Sequence, residues 1–161
     1  ALIQLSRGVY RRADAPEASY PDLLAVAHRA PKGVICLVSA LTLYDLTDEI
    51  PPKVQLAVAR ASHPPHIDYP PTEVFRFDAC TFEVGIEMFE VAPKEKVRIY
   101  SASRSVIDAM RFRNWIGEPL ALGALRKLLS RRQATPAELM KLAKLLDVAG
   151  PVRSAMDAML A

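Results

Sequence analysis

Cysteine and glycine are scarce in this sequence, and each scarcity removes a class of chemistry. Two cysteines in 161 residues build no disulfide framework. Cys36 and Cys80 both lie in apolar or strand-like stretches and read as buried free thiols. Six glycines assemble no phosphate-cradling loop, because neither Gly-x-Gly-x-x-Gly nor Gly-Lys-Ser/Thr spacing occurs. There is no Gly-x-Ser-x-Gly elbow, and no histidine has a nucleophile in a recognised spacing. The longest nearly apolar run, residues 34–44, is too short to span a bilayer and is interrupted by Ser39 and Thr42. Nothing at the start reads as a signal peptide. The expectation is a cytoplasmic protein with no cofactor, no catalytic apparatus and no membrane contact.

What is present is proline and unevenly divided charge. Thirteen prolines punctuate a chain that is 51% hydrophobic and 24% charged, the composition of a globular protein cut into short elements. The net charge is only +3. From Arg98 onward, however, eleven Lys/Arg face five Asp/Glu, a balance of +6, whereas residues 1–97 carry −3. Such asymmetry favours an anionic partner for the C-terminal part, nucleic acid being the usual candidate; solvated helix faces are the plain alternative.

The C-terminal part also carries the firmest secondary-structure signals. Residues 96–100 alternate polar and apolar, as a half-buried strand does. Ser101 or Ser103 can cap a helix running through Arg113, with Val106, Ile107 and Met110 on one face. Gly117 then suits a helix C-terminus and Pro119 the first turn of the next helix. That helix has two adjacent apolar rows, Leu120/Ala124/Leu128 and Ala121/Leu125/Leu129. Thr135-Pro136-Ala137-Glu138 is a capping box for a third helix, with Leu139, Leu142, Ala143 and Leu146 on its inner side. After Gly150-Pro151, Val152, Met156 and Met159 mark a terminal helix. Arg104, Arg111, Arg113, Arg126, Lys127, Arg131 and Arg132 fall outside the apolar rows and are expected to form a basic interaction surface. Asp108 follows Arg104 by four positions and precedes Arg111 by three, the spacing of helix-surface ion pairs. Trp115, beside Phe112 and Ile116, reads as core, with an exposed interaction residue as the alternative.

Upstream, the elements are shorter. Residues 2–5 and 9–11 suit two strands around a Ser6-Arg7-Gly8 turn. Asp14 to Ser19 is a polar linker and the expected domain boundary, dividing residues 1–13 from 14–161. Ser19-Tyr20-Pro21-Asp22 starts a helix with Leu23, Leu24, Ala27 and Ala30 inside. Residues 33–46 are ambiguous by periodicity: Val34-Ile35-Cys36 favours strand and residues 39–44 a short helix capped by Ser39. The preferred reading is a short buried turn running into a helix. Strands follow at residues 54–59, 72–77, 82–85 and 86–91, with Gly85 a turn or bulge. Asp78, Glu83, Glu87 and Glu90 read as strand carboxylates on a solvent face. His63, His66 and Asp68 invite a metal site, but no fourth ligand is evident and the surrounding prolines suit a connecting loop.

Several of these stretches, in order, resemble the AbiEi-type antitoxins of abortive-infection, type IV toxin–antitoxin systems. Ser101-Ala102-Ser103-Arg104-Ser105-Val106-Ile107-Asp108 matches that family's helix start, with Ala102 where the family has proline. Phe112-Arg113-Asn114-Trp115-Ile116-Gly117 matches its arginine-rich link less completely. Arg7-Gly8-Val9-Tyr10 and Val34-Ile35-Cys36-Leu37-Val38-Ser39-Ala40-Leu41 fall where the family has an Arg-Gly-x-Tyr and a Ser-Ala-Leu segment. The resemblance implies an α+β fold: a remnant winged-helix wing hairpin, then a mixed strand and helix antitoxin domain ending in a helical group. It implies that residues 1–13 are the wing of a winged helix-turn-helix whose helices would precede Ala1, so that the chain is shortened or cut upstream. Arg7, Arg11 and Arg12 would then contact DNA phosphates. The implied function is an antitoxin and DNA-binding transcriptional autoregulator. Its partners would be promoter DNA and a cognate nucleotidyltransferase-like toxin. Two other classes compete with it: a metal-dependent enzyme using His63, His66 and Asp68, and a structural protein-interaction domain.

Overall fold

A computed structural model describes residues 2–6 and 9–12 by their backbone course and residues 21–161 in full. The fold is α+β, with a five-stranded mixed sheet and seven helices among the described residues. The chain divides into two compact units, each made of two segments: Ala1–Cys36 with Pro51–Ile99, and Leu37–Ile50 with Tyr100–Ala161.

The first unit opens with the expected hairpin, β1 (Leu2–Ser6) antiparallel to β2 (Val9–Arg12), Leu2 opposite Arg12. The expected linker at residues 14–19 and the Arg7 turn lie outside the described residues, and for Arg11 and Arg12 only the backbone is described. Helix α1 (Pro21–Arg29) buries Leu23, Leu24, Ala25 and Val26. It ends in a turn at Pro31-Lys32 that delivers the chain into β3 (Val34–Ile35). This two-residue strand is the centre of the sheet, so the strand preference of Val34-Ile35-Cys36 prevails over the preferred buried turn. Leu37 then takes φ 49°, a conformation that costs a bulky side chain about 1–2 kcal/mol and turns the chain out of the sheet.

After Pro51-Pro52 the chain returns as β4 (Val54–Ala59), followed by β5 (Thr72–Phe77), β6 (Ile86–Ala92) and β7 (Glu95–Tyr100). The strand order is β5-β4-β3-β7-β6. Strand β3 runs antiparallel to β4, with Ile35 opposite Leu56, and parallel to β7, with Ile35 opposite Ile99. Strands β4 and β5 are parallel, from Val54/Thr72 to Ala59/Phe77. Residues 79–85 form turns, so the strand expected at 82–85 is absent, and the Asp78 carboxylate accepts from the Cys80 N–H at 2.8 Å. Cys80 is exposed there, contrary to expectation, while Cys36 is buried.

The second unit is helical. Helix α2 (Leu37–Leu43) begins two residues before Ser39, so Ser39 is an interior residue rather than its cap. Helix α3 (Ala102–Arg111) packs against α2, α5, α6 and α7. Its N-cap is Ser101, whose Oγ accepts from the Arg104 N–H at 3.1 Å. The expected continuation through Arg113 is broken into a separate turn, α4 (Arg113–Ile116). Gly117, at φ 105°, joins it to α5 (Glu118–Ser130), which buries Ala121, Ala124, Leu125 and Leu128 from the two anticipated rows. The capping box forms on α6 (Pro136–Leu145): Thr135 Oγ1 accepts from Glu138 N–H at 3.1 Å and Glu138 Oε2 from Thr135 N–H at 3.4 Å. Helix α7 (Ala149–Leu160) adds Val152 and Met156 to a core containing Leu41, Leu46 and Ile107. No described helix is long and apolar enough to cross a membrane.

Two glycines give opposite expectations. A Cβ on Gly33 would lie 2.8 Å from Leu56 Cδ1 and 3.0 Å from Cγ, inside a core that leaves Leu56 no exposed surface. Gly33→Ala should therefore lower stability by about 1–3 kcal/mol through overpacking. A Cβ on Gly123 in α5 meets nothing within 4 Å. Gly123→Ala should raise stability by about 0.4–1 kcal/mol by restricting the unfolded chain. Urea denaturation of the two variants checks both signs.

Candidate functional site

The seven cations expected to share one surface divide into two groups. Helix α3 is buried all round from Arg104 to Met110, which is why Arg104 and Asp108 cannot reach water, while Arg111 at its end is partly exposed. Arg104 and Asp108 have no exposed side-chain surface. Arg104 Nε donates to Asp108 Oδ2 at 2.9 Å, and Arg111 Nε donates to Oδ1 at 3.0 Å with its Nη2 at 2.8 Å. The Arg104 guanidinium also lies 4.4 Å from the centroid of the buried Tyr100 ring. Ser105 Oγ donates to the Tyr100 carbonyl at 3.2 Å, tying the helix start to the end of β7. These are interior contacts, not the helix-surface ion pairs that spacing suggested. Burial pushes the Asp108 carboxyl above its ordinary value, and the charges and hydrogen bonds of Arg104 and Arg111 pull it back.

Arg113 and Arg131 also have structural duties. Arg113 Nη1 donates to the Met110 carbonyl at 2.8 Å, satisfying a backbone acceptor at the end of α3. Arg131 Nη1 donates to the Asp45 carbonyl at 2.8 Å, with Nη2 3.7 Å from the Asp45 carboxylate. It fastens the end of α5 to the turn after α2. The remaining three, Arg126, Lys127 and Arg132, make no ion pair with any described residue; Arg126 and Arg132 are exposed and Lys127 is half-buried. Lys141 and Lys144 on α6 are exposed cations as well. Trp115, expected in the core, is 69% exposed at the α4 corner. Sequence position beside Phe112 and Ile116 concealed this, because the chain breaks helix geometry at Phe112.

The histidine loop does not assemble as a metal site. His66 Nε2 lies 2.8 Å from Asp68 Oδ1, both exposed, and with Arg29 and Tyr69 they line one small cavity. His63 lines another. Among the described residues no three His, Cys, Asp or Glu side chains come together in a metal-holding group. The His63 cavity, about 540 Å³ within the sheet unit, is also lined by Lys32, Glu83 and Arg98. Sequence reading did not connect these residues, which come from four separate segments. The one signal was Arg98 on the polar row of an alternating strand.

The division of the cations has a direct consequence. Removing one member of a buried ion-pair group leaves the others charged and uncompensated, at a cost of about 3–5 kcal/mol. Asp108→Asn should show a loss of that size in chemical denaturation. Arg131→Ala should lose about 0.5–1 kcal/mol with its backbone hydrogen bond, and Arg126→Ala should stay within about 0.5 kcal/mol of the parent.

No family model matches the chain, and no curated protein matches it significantly.

Proposed function

We propose that this chain is an antitoxin and DNA-binding transcriptional autoregulator of a bacterial type IV toxin–antitoxin system, acting against a nucleotidyltransferase-like toxin. The wing reading of the β1–β2 hairpin, with Arg7, Arg11 and Arg12 on phosphates, is part of the same proposal. So is the absence of an enzymatic role. The biological setting comes from the resemblance carried by residues 101–108 and 112–117. The observation that supports an anionic partner is the set of cations at the end of α5. Arg126, Lys127 and Arg132 are not consumed by ion pairs with described residues. Cations in a helix's last turn gain about 0.3–1 kcal/mol from the helix dipole, and Lys127 in the last turn of α5 is placed to collect it, with Arg131 at the C-cap. Arg126 and Arg132, both exposed, lie beside it and have no such duty in α5. Such solvent-facing cations suit a surface that meets negative charge on a partner.

The test is charge reversal at these three positions alone, leaving the structural Arg104, Arg111, Arg113 and Arg131 in place. The Arg126→Glu, Lys127→Glu, Arg132→Glu variant should fail to rescue toxin-expressing cells while its melting temperature moves by only about 2–4 °C. Its residual binding to double-stranded DNA should also be less sensitive to salt, with the slope of log affinity against log salt reduced by about 0.9 per lost phosphate contact. Full rescue by the folded variant would place the activity on another surface.

A further inference from the structure

The sheet unit carries a cleft that the proposed function does not use. Its walls come from the turn after α1, the end of β4, the loop at Ser62-His63, the turn at Phe82-Glu83, and β7. Its volume, about 540 Å³, falls within the range of about 300–1,000 Å³ typical of small-molecule sites. Lys32 and Arg98 bring two positive charges, Glu83 brings one negative charge, and Val58 and Phe82 supply buried apolar wall.

Arg98 is the decisive residue. Its Nε is buried and has no hydrogen-bond partner among the described residues. Its Nη2 reaches Glu83 Oε1 only at 3.4 Å, at the long limit of a hydrogen bond, and the Glu83 side chain is 74% exposed. A buried N–H without an acceptor is a standing cost, and a guanidinium is built to relieve it by gripping a carboxylate with two parallel N–H donors. Glu83 holds one donor weakly and leaves the other unmet. The ammonium of exposed Lys32 lines the same cleft and adds a second attraction for an anion. Phosphate dianions fit less well, because Glu83 repels them and the apolar wall would be left unused.

We propose that this cleft binds a small organic monoanion, a carboxylate on an apolar or aromatic body, with Arg98 and Lys32 holding the carboxylate and Val58 and Phe82 covering the body. This site is independent of the α5 surface, so the two proposals stand or fall separately.

Benzoate is a suitable probe, with benzamide as its neutral counterpart. Isotope-labelled chain, residues 1–161, is titrated with each at matched ionic strength while the Arg98 side-chain Nε–H resonance is followed by NMR. Benzoate should shift that resonance saturably and bind at least about tenfold more tightly than benzamide. Lys32→Gln, at an exposed position that does not threaten the fold, should weaken benzoate severalfold. Arg98→Lys, which keeps the charge but loses the fork, should weaken it about tenfold or more. A response linear in benzoate, equal responses to benzoate and benzamide, or an unchanged benzoate affinity in Lys32→Gln would each overturn the proposal.

Discussion

The pairing of Asp108 with Arg104 and Arg111 is the interaction on which the helical unit depends. Helix α3 is enclosed by α2, α5, α6 and α7, and a helix in that position is normally apolar on every side. This one carries a cation and an anion four residues apart at its most enclosed positions. Neither charge could be buried alone, since an isolated ion in the interior costs several kcal/mol even after relaxation. Each carboxylate oxygen therefore meets a different guanidinium, and Tyr100 covers the face of one of them. Relative to an apolar core of the same volume, such a group adds little net stability. Its effect is to commit two cations to one enclosed anion on the same helix, three and four residues away from it.

That requirement decides how the positive charge of the C-terminal part is used. Arg104 and Arg111 neutralise an interior anion, Arg113 closes the end of α3, and Arg131 ties α5 to the Asp45 turn. What remains at the end of α5 is a smaller group than the sequence balance of +6 suggests. The proposed nucleic-acid-directed role rests on that remainder, not on the total. A net-charge count cannot make the distinction, because it weighs a buried guanidinium and a solvated one equally.

Local signals in the sequence were legible where one residue type has one physical use. The Thr135–Glu138 capping box, the Ser101 cap, the positive-φ Gly117 and the two apolar rows of α5 all formed where spacing placed them. Sheet order was not legible, because β3 is two residues long and gains its central place only through partners distant in sequence. Arg104 was misplaced because a charged residue between serines reads as a solvent face. A signal did exist: Ile107 shares the stripe defined by Arg104, Asp108 and Arg111, and an apolar residue there points inward. Arg126 and Arg132 are exposed as spacing suggested, whereas the structural bond of Arg131 to Asp45 was hidden because it joins residues far apart in the chain. The Arg98 cleft was hidden for the same reason, apart from the place of Arg98 on the polar row of β7.

The direct measure of the buried pairing is the persistence of the Arg104 side-chain Nε–H. The protein, transferred into deuterated water at neutral pH, is followed by NMR in the arginine Nε region. A hydrogen held in an enclosed bond to Asp108 should survive long after the exposed Nε–H of Arg126 has exchanged, and should disappear only with global unfolding. Exchange of Arg104 as fast as that of Arg126 would show that Arg104 is solvated, and would contradict the division of this chain's cations into an interior set and an exposed one.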